Sequence, residues 1–272
     1  MSRPQWVVRL LKFAFPQRRL IVRSTKLPVI GPALHRWLFA GDDLRFLPDD
    51  RMVLSINQPV PMGEDTMLPS QVVDHFIEAA SYHWIMDRCL CRDAEKCEDY
   101  PIDLGCLFLG EAATGISPEL GRRVTREEAL AHVQRCREAG LVHMIGRNRL
   151  DTVWMGVGPG DRLLTICHCC PCCCLWHILP HVRGEISRVF TRLPGLEIRV
   201  TDDCVGCGEC VKDVCFVDAI SMQDGRAVID EKCLGCGRCV PVCPHGAIDL
   251  TLTNDDFVRS TIERISTLVD VS

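Results

Sequence analysis

CVGCGECVKDVC at residues 204–215 and CLGCGRCVPVCP at residues 233–244 are two copies of one sequence unit. Each copy contains CxGCGxC, a short link and a fourth cysteine, and an Ala-Ile pair follows each one, at 219–220 and 247–248. Thiolates at this spacing are typical of sites that bind iron–sulfur clusters. Since the unit is repeated within one segment, it predicts two related clusters and one-electron chemistry.

Zinc is the alternative metal for this segment. Zinc sites usually take their ligands from two separated CxxC halves, whereas this segment places eight cysteines in two tandem runs. The glycines inside the runs suit a backbone that winds closely around a cubane with its amides pointing at the sulfides; they are Gly206, Gly208, Gly235 and Gly237. The pattern therefore favours iron–sulfur clusters over zinc.

Residues 200–250 resemble the two-cluster bacterial ferredoxins in these cysteine runs. In that family the fourth cysteine of each run binds the other cluster. The resemblance implies one 4Fe-4S cluster on Cys204, Cys207, Cys210 and Cys243, and a second on Cys233, Cys236, Cys239 and Cys215. The first run departs from the family pattern, because four residues instead of three precede Cys215 and Phe216 stands where the second run has Pro244. This departure concerns the loop geometry and not the ligands.

A second group of ten cysteines lies upstream: Cys89, Cys91, Cys97, Cys106, Cys167, Cys169, Cys170, Cys172, Cys173 and Cys174. Neighbouring residues of a strand point in opposite directions, so the six cysteines within 167–174 are not all core residues and several face something shared. We expect a further iron–sulfur cluster here, built by some of Cys89, Cys91 and Cys97 with some of the 167–174 set. Zinc and a dithiol site are the alternatives. Ten thiols exceed the four that one cubane needs. Either a larger or second cluster is bound here, or some thiols are unligated and available for redox or substrate chemistry.

Charged residues and histidines accompany the upstream cysteines. Arg88, Arg92 and Lys96 either offset the charge of a thiolate-ligated cluster or are solvated loop charges. His168, His177 and His181 are candidate ligands or proton donors, although a hydrogen-bonded structural role is favoured. Cys136 lies within a helical pattern and is interpreted as an ordinary buried thiol. No pattern in the chain indicates a nucleotide, flavin or nucleic-acid site.

Length and composition restrict the class of protein. A chain of 272 residues with 47% hydrophobic residues can bury one large core or two modest ones. Its nineteen cysteines are an odd number and are spaced as CxxC runs, which indicates a reducing, anaerobic cytoplasm and not a disulfide framework. No signal peptide or membrane-spanning segment is predicted, because Pro, Gly and charged residues interrupt the apolar stretches of the first forty residues.

Charge is distributed unevenly along the chain. Residues 1–47 contain nine Lys or Arg and two Asp, whereas residues 201–256 contain eleven Asp or Glu and four Lys or Arg. The acidic end is expected to steer towards a basic face of a redox protein partner. The basic arm, with Trp6, Leu10, Phe13 and Phe15, is expected to make peripheral contact with the inner face of the membrane, or else to pack on the acidic end of its own protein.

The local patterns predict an α+β fold with a ferredoxin-like C-terminal domain on a mixed helical, cysteine-rich N-terminal domain. The predicted divisions are a basic arm (1–60), a cysteine-rich α/β domain (61–195), a two-cluster ferredoxin domain (196–252) and an amphipathic C-terminal helix (253–272). Further predictions are strands at 20–22, 52–54 and 163–166, and helices beginning at Ser70, Ser117 and Thr125, the last with a capping box formed by Thr125 and Glu128. The apolar stripe of the helix from Ser70 runs to Trp84, and this helix delivers Cys89 and Cys91.

Residues 50–250 also resemble a largely uncharacterised group of prokaryotic 4Fe-4S binding proteins found mainly in anaerobes. The resemblance is carried by CLCRDAEKCEDYP (89–101), DLGCLFLGEAA (103–113), AGLVHMIGRN (139–148) and TICHCCPCCC (165–174). It implies that residues 85–175 form one cysteine-rich unit, and it supplies no substrate. We therefore expect an electron-transfer protein or redox-complex subunit, with a reductase centred on Cys167–Cys174 and a redox-sensing or structural protein as alternatives.

Overall fold

A computed structural model of the chain describes residues 3–52, 68–253 and 256–272. It combines helices and sheets in the α+β class that the sequence predicts. The strands are β1 (Asp43–Leu47), β2 (His83–Met86), β3 (Leu107–Leu109), β4 (Gly121–Val124), β5 (Val142–Arg147), β6 (Leu164–Cys169), β7 (Phe190–Thr191), β8 (Leu196–Val200), β9 (Ile220–Gln223), β10 (Arg226–Ile229) and β11 (Ile248–Leu252). The α-helices are α1 (Gln5–Ala14), α2 (Arg18–Ile21), α3 (Ile30–Leu38), α4 (Ser70–Ala79), α5 (Leu90–Glu95), α6 (Arg126–Glu138), α7 (Arg149–Met155), α8 (Gly184–Ser187) and α9 (Phe257–Ser266).

A seven-stranded sheet forms the centre of the molecule, in the order β4-β2-β3-β6-β5-β1-β7. Its pairs are antiparallel except for the short parallel contact between β1 and β7. The predicted arm therefore contributes β1 to this sheet. The C-terminal unit (residues 196–252) has two separate antiparallel strand pairs, β8 with β11 and β9 with β10.

The two faces of the central sheet are covered differently. Alternate residues of β6 explain the division, since Leu164 and Ile166 join a buried core with helices α4, α6 and α9, whereas Cys167 and Cys169 point to the opposite face. Helices α1 to α3 and the turns between them lie over that opposite face and enclose a cavity there. The sheet thus separates an aliphatic core from a thiol-rich space.

Several local predictions are confirmed. Thr125 and Glu128 form the predicted capping box of α6, with the Glu128 amide donating to Thr125 Oγ1 at 3.2 Å and the Thr125 amide donating to Glu128 Oε2 at 2.9 Å. Gly140 follows the helix with φ +72°, a left-handed conformation that favours glycine at a helix end. The predicted strand at 163–166 is β6, and the predicted tail helix is α9, whose Val258 and Ile265 are buried.

Other local predictions are wrong. Leu20 and Ile21 lie in α2 and Val22 begins a 3-10 turn, because a short apolar run does not distinguish a strand from a helix. Residues 117–119 form a turn before β4 instead of a helix. Met52 ends a 3-10 turn, and the remainder of the strand predicted at 52–54 lies outside the described residues.

The helix from Ser70 is present as α4, but its ends differ from the prediction. Ser70 is the first helical residue, and its amide donates to Asp50 Oδ1 at 2.9 Å, so a distant carboxylate satisfies the free donor of the helix end. The helix stops at Ala79, and Trp84 lies on β2. Cys89 therefore lies between β2 and α5, and Cys91 lies in α5, so α4 does not position these two cysteines.

Candidate metal centres

Two small cavities in the C-terminal unit divide its eight cysteines into two sets of four. One cavity is lined by Cys204, Cys207, Cys210 and Cys243, and the other by Cys215, Cys233, Cys236 and Cys239. Each set therefore takes its fourth cysteine from the other run, as the ferredoxin resemblance implies. The remaining lining is largely apolar, with residues such as Val200 and Ile248 in the first cavity and Ile198 and Val217 in the second.

Backbone amides donate to the cysteine sulfurs in a repeated pattern. The amide of Ala219 donates to Cys215 Sγ and that of Ala247 donates to Cys243 Sγ, both at 3.3 Å, four residues after each fourth cysteine. Hydrogen bonds from the amides of Ala227 and Gly206 lower the pKa of Cys204. All-sulfur donor sets with N–H donors to sulfur and an apolar lining fit iron–sulfur clusters.

Two glycines of the cysteine runs have backbone angles and close neighbours that a side chain would not fit. Gly206 and Gly235 have φ values of +74° and +70°, where side chains are disfavoured. A Cβ at Gly206 would lie 2.0 Å from the Gly225 carbonyl oxygen, and one at Gly235 would lie 2.2 Å from Leu196 Cδ2. Positive φ and contact with neighbouring protein atoms explain these two glycines without reference to a cluster.

Phe216, the residue that departs from the ferredoxin pattern, connects the C-terminal unit to the central sheet. Its ring is buried and stacks on Phe46 of β1 with 5.0 Å between ring centroids. Phe46 in turn lies 6.1 Å from Phe190, and Phe190 lies 4.6 Å from Trp176, again between ring centroids. Phe216 lines the second cysteine cavity, and Trp176 lines the cavity beneath α1 to α3, so a continuous aromatic row joins the two.

The upstream cavity has a volume of about 330 Å³ and is lined by seven of the ten upstream cysteines. Cys106 Sγ and Cys167 Sγ lie 3.4 Å apart, where β3 and β6 run side by side. Apolar side chains of the N-terminal helices, including Leu11, Phe15 and Leu38, form the opposite wall. The thiols that line this space are Cys89, Cys91, Cys106, Cys167, Cys169, Cys170 and Cys174.

Arg92 is the one of the three predicted basic residues that reaches these thiols. Its side chain is fully buried, and its guanidinium donates to the carbonyl oxygens of His168, at 2.8 Å, and Leu104. A hydrogen bond from Cys91 and the Arg92 charge lower the pKa of Cys89 to about 6. Arg88 and Lys96 are exposed, and Arg88 forms an ion pair with Asp93 at 2.6 Å. The buried cation favours the thiolate form of Cys89, the form that binds metals, whereas burial raises the pKa of Cys174.

Four thiols form a tighter group beside the cavity. The Sγ atoms of Cys97, Cys170, Cys172 and Cys173 all lie within 4.8 Å of one another. Cys97 and Cys173 each place a sulfur 3.5 Å from that of Cys172. Of the ten predicted upstream residues, the structure thus brings seven to the cavity and four to this group, with Cys170 shared.

Buried histidines occupy the other face of β6. His168 Nδ1 lies 2.8 Å from His143 Nδ1, since the two residues are cross-strand partners on β6 and β5. His132 of α6 lies beside His168 and hydrogen-bonds the Gly105 carbonyl, and Cys136 Sγ is 3.7 Å from His132 Nε2. Burial lowers the pKa of His143 to about 3, so this pair is neutral at physiological pH. Sequence reasoning missed His143, which strand register brings to His168, and His132, which the packing of α6 brings there.

The other candidate histidines are separate from the thiols of the tight group. His177 is buried against the Phe216 ring, with 4.9 Å between ring centroids. Burial lowers its pKa to about 4, which indicates a neutral packed side chain. His181, at the end of the same 3-10 segment, is only partly buried.

Comparison with known protein families gives one match. The family model described as LdpA Fe-S cluster-binding domain matches residues 211–253, a range that contains five of the eight cysteines of the C-terminal unit. The comparisons with curated proteins and with solved structures found no match. The family model and the cysteine groups together support an iron–sulfur protein. Among the described residues, no helix has the length and apolar character needed to cross a membrane.

Proposed function

We propose that this chain is an iron–sulfur electron-transfer protein or the subunit of a redox complex. In this proposal it relays single electrons between a C-terminal pair of 4Fe-4S clusters and a further cluster at the upstream cavity. The observation that carries the proposal is a thiol-lined cavity of about 330 Å³ joined by buried aromatic side chains to the second ferredoxin-type cysteine set. Iron–sulfur clusters, when bound, supply the one-electron chemistry.

The two C-terminal sites differ in their distance from the protein surface, which indicates which of them faces a partner in the proposed relay. Cys207 of the first set is exposed, and Val205 beside it is 65% exposed, so this site is close to the protein surface. Two exposed acidic residues precede it in the chain, Asp203 and Asp202, and Asp202 pairs with Arg226 at 3.1 Å. This surface suits a redox partner with a basic docking face. The second set lies deeper, where Phe216 and Arg238 connect it to the rest of the molecule.

Cys174→Ser tests the upstream cluster, because Cys174 lines the cavity and belongs to neither C-terminal set. We expect this variant, purified anaerobically, to lose iron and acid-labile sulfide in equal amounts while the signals of the C-terminal clusters persist. Cys136→Ser is the control, since Cys136 is a buried upstream thiol that does not line the cavity; it groups only with His132 and His168, so this variant should keep its acid-labile sulfide. Unchanged iron and sulfide in the Cys174 variant would refute a cluster at the cavity.

A reductase is the second candidate, and the size of the cavity favours it. Seven thiols and about 330 Å³ exceed what one cubane with four ligands uses, which leaves room for a small molecule. In that case the reduced protein should be reoxidised by a small substrate without a protein partner. If the spectrum of the reduced protein does not change with sulfur, thiol or acyl compounds, a reductase that acts on those classes is excluded.

We also propose that the outer face of α1 to α3 lies on an anionic membrane surface. Nine of the thirteen large apolar side chains that are exposed in the described structure lie between residues 6 and 37, among them Phe13 at 77% and Trp6 at 64% exposure. Basic residues such as Arg9 and Arg19 are interspersed with them. An exposed apolar face with interspersed cations suits insertion at the level of anionic headgroups.

The contacts of the arm are consistent with this placement. Lys12 and Arg18 form ion pairs with Asp93 and Glu95 of α5, so the arm is attached to the cysteine-rich part of the chain. These contacts differ from the alternative expectation, in which the arm packs on the acidic C-terminal end. The inner side of the arm covers the cavity, and its outer side is left exposed to a partner surface.

A further inference from the structure

The tight group of Cys97, Cys170, Cys172 and Cys173 differs in geometry from the ferredoxin-type cysteine sets. Its four sulfurs all lie within 4.8 Å of one another. No three of the eight C-terminal cysteines, all of which the structure describes, are gathered this closely. The chain therefore holds two kinds of four-cysteine site, one compact and one open.

The compact spacing matches a single metal ion. A tetrahedral ion with metal–sulfur bonds of about 2.3 Å sets its four sulfurs roughly 3.8 Å apart. A cubane instead binds each cysteine to a different iron, so its cysteine sulfurs are necessarily farther apart than those around one ion. The separations of 3.5 Å in the compact group agree with the first arrangement.

The local backbone also suits a mononuclear site. Residues 170–173 read Cys-Pro-Cys-Cys, and the Cys173 amide donates to Cys170 Sγ at 3.3 Å, which turns the loop around that sulfur. Cys97 comes from the loop after α5 and closes the group from the other side. Leu104, Leu141 and Tyr100 pack around the four thiols. The ligand set is thus complete, with four sulfurs and no position left for a substrate.

We propose that Cys97, Cys170, Cys172 and Cys173 bind one zinc ion in a tetrathiolate site that is separate from the iron–sulfur clusters. The ion ties the loop after α5 to the loop that follows β6 and carries Cys174 into the cavity. It also supports the contact with the C-terminal unit, because Arg238 donates to the carbonyl of Gly140 at 2.6 Å and lies over the Tyr100 ring beside the group. This site is structural and does not depend on the proposed electron transfer.

Zinc X-ray absorption tests the site in the wild-type protein. The full chain is purified anaerobically and reconstituted with excess iron and sulfide before the measurement. We expect zinc to be retained with four sulfur neighbours at about 2.3 Å. Zinc that iron displaces during reconstitution, or zinc with nitrogen or oxygen neighbours, would overturn the proposal.

Cys172→Ser supplies the matching variant, because Cys172 is exposed and its replacement leaves the core intact. We expect loss of zinc with iron and sulfide unchanged, and full zinc in the Cys174→Ser control, because Cys174 lines the cavity and is not one of the four thiols of the group. Loss of iron together with sulfide would show that the group belongs to a cluster, and loss of iron without sulfide would overturn the zinc assignment. Failure of the electron-transfer proposal, by contrast, would appear as missing iron and sulfide in the wild-type protein.

Discussion

At the scale of single residues, Arg92 has the most specific role. It is a fully buried cation whose guanidinium is fixed by the carbonyl oxygens of His168 and Leu104 and adjoins the thiols of the cavity. Bound thiolates and a reduced cluster add negative charge, which a nearby cation stabilises. Arg92 therefore both favours the metal-binding form of Cys89 and raises the reduction potential of a cluster held there.

Arg92→Gln is expected to lower the reduction potential of the upstream cluster. A unit charge about 8 Å away at an effective dielectric constant of about 20 contributes roughly 2 kcal/mol, which is about 90 mV for one electron. Redox titration followed by EPR measures the shift. Arg92→Lys is the control. Because it keeps the positive charge, the reduction potential of its cluster should stay close to that of the wild-type protein. An unchanged potential in Arg92→Gln would contradict this role.

The sequence identified Arg92 only as one of three basic residues among the upstream cysteines. Arg88, Arg92 and Lys96 have the same charge and lie within nine residues, and only the turn of α5 decides which of them enters the protein. The cysteines were easier to predict, because thiols at CxxC spacing have few other uses. His132 and His143 could not be predicted as partners of His168, since the proximity of His143 depends on sheet register and that of His132 on the packing of α6.

At the scale of elements, helix ends and burial patterns were predicted better than the path of the N-terminal arm. The capping box of α6 and the burial pattern of α9 followed from local chemistry and were predicted correctly. The path of the arm was not predicted correctly, because α2 is held by contacts with distant residues, such as the ion pair between Arg18 and Glu95. The composition of the arm nevertheless indicated an amphipathic surface, and the structure places its apolar residues on the outside.

Replacing Trp6, Leu10 and Phe13 together by Ser should reduce sedimentation with anionic vesicles by at least about tenfold, because each lost apolar contact with the bilayer weakens binding by roughly 1 kcal/mol or more. These side chains are exposed, so the stability of the fold should change little. Val205→Ser and Met222→Ser, at exposed apolar positions of the C-terminal unit, serve as a matched control. Equal sedimentation of all variants, or equal binding to zwitterionic vesicles, would argue against the membrane face.

At the scale of the whole molecule, the parts form a series from one surface to the other. The acidic C-terminal unit presents its first cysteine set near the solvent, its second set contacts the central sheet through Phe216, and the upstream cavity lies between that sheet and the N-terminal helices. The resemblance to two-cluster ferredoxins implied the two C-terminal sets. The sequence predicted a shared upstream site but not which cysteines line the cavity, because Cys89, Cys106 and Cys174 meet only when β2, β3 and β6 pair.

Anaerobic quantitation of iron and acid-labile sulfide per chain, combined with EPR of the reduced wild-type protein, tests the central claim most directly. The proposal predicts more iron and sulfide than two cubanes contain, together with an EPR signal additional to that of the C-terminal pair. Iron and sulfide amounting to two cubanes, with no additional signal, would contradict a third redox centre at the upstream cavity.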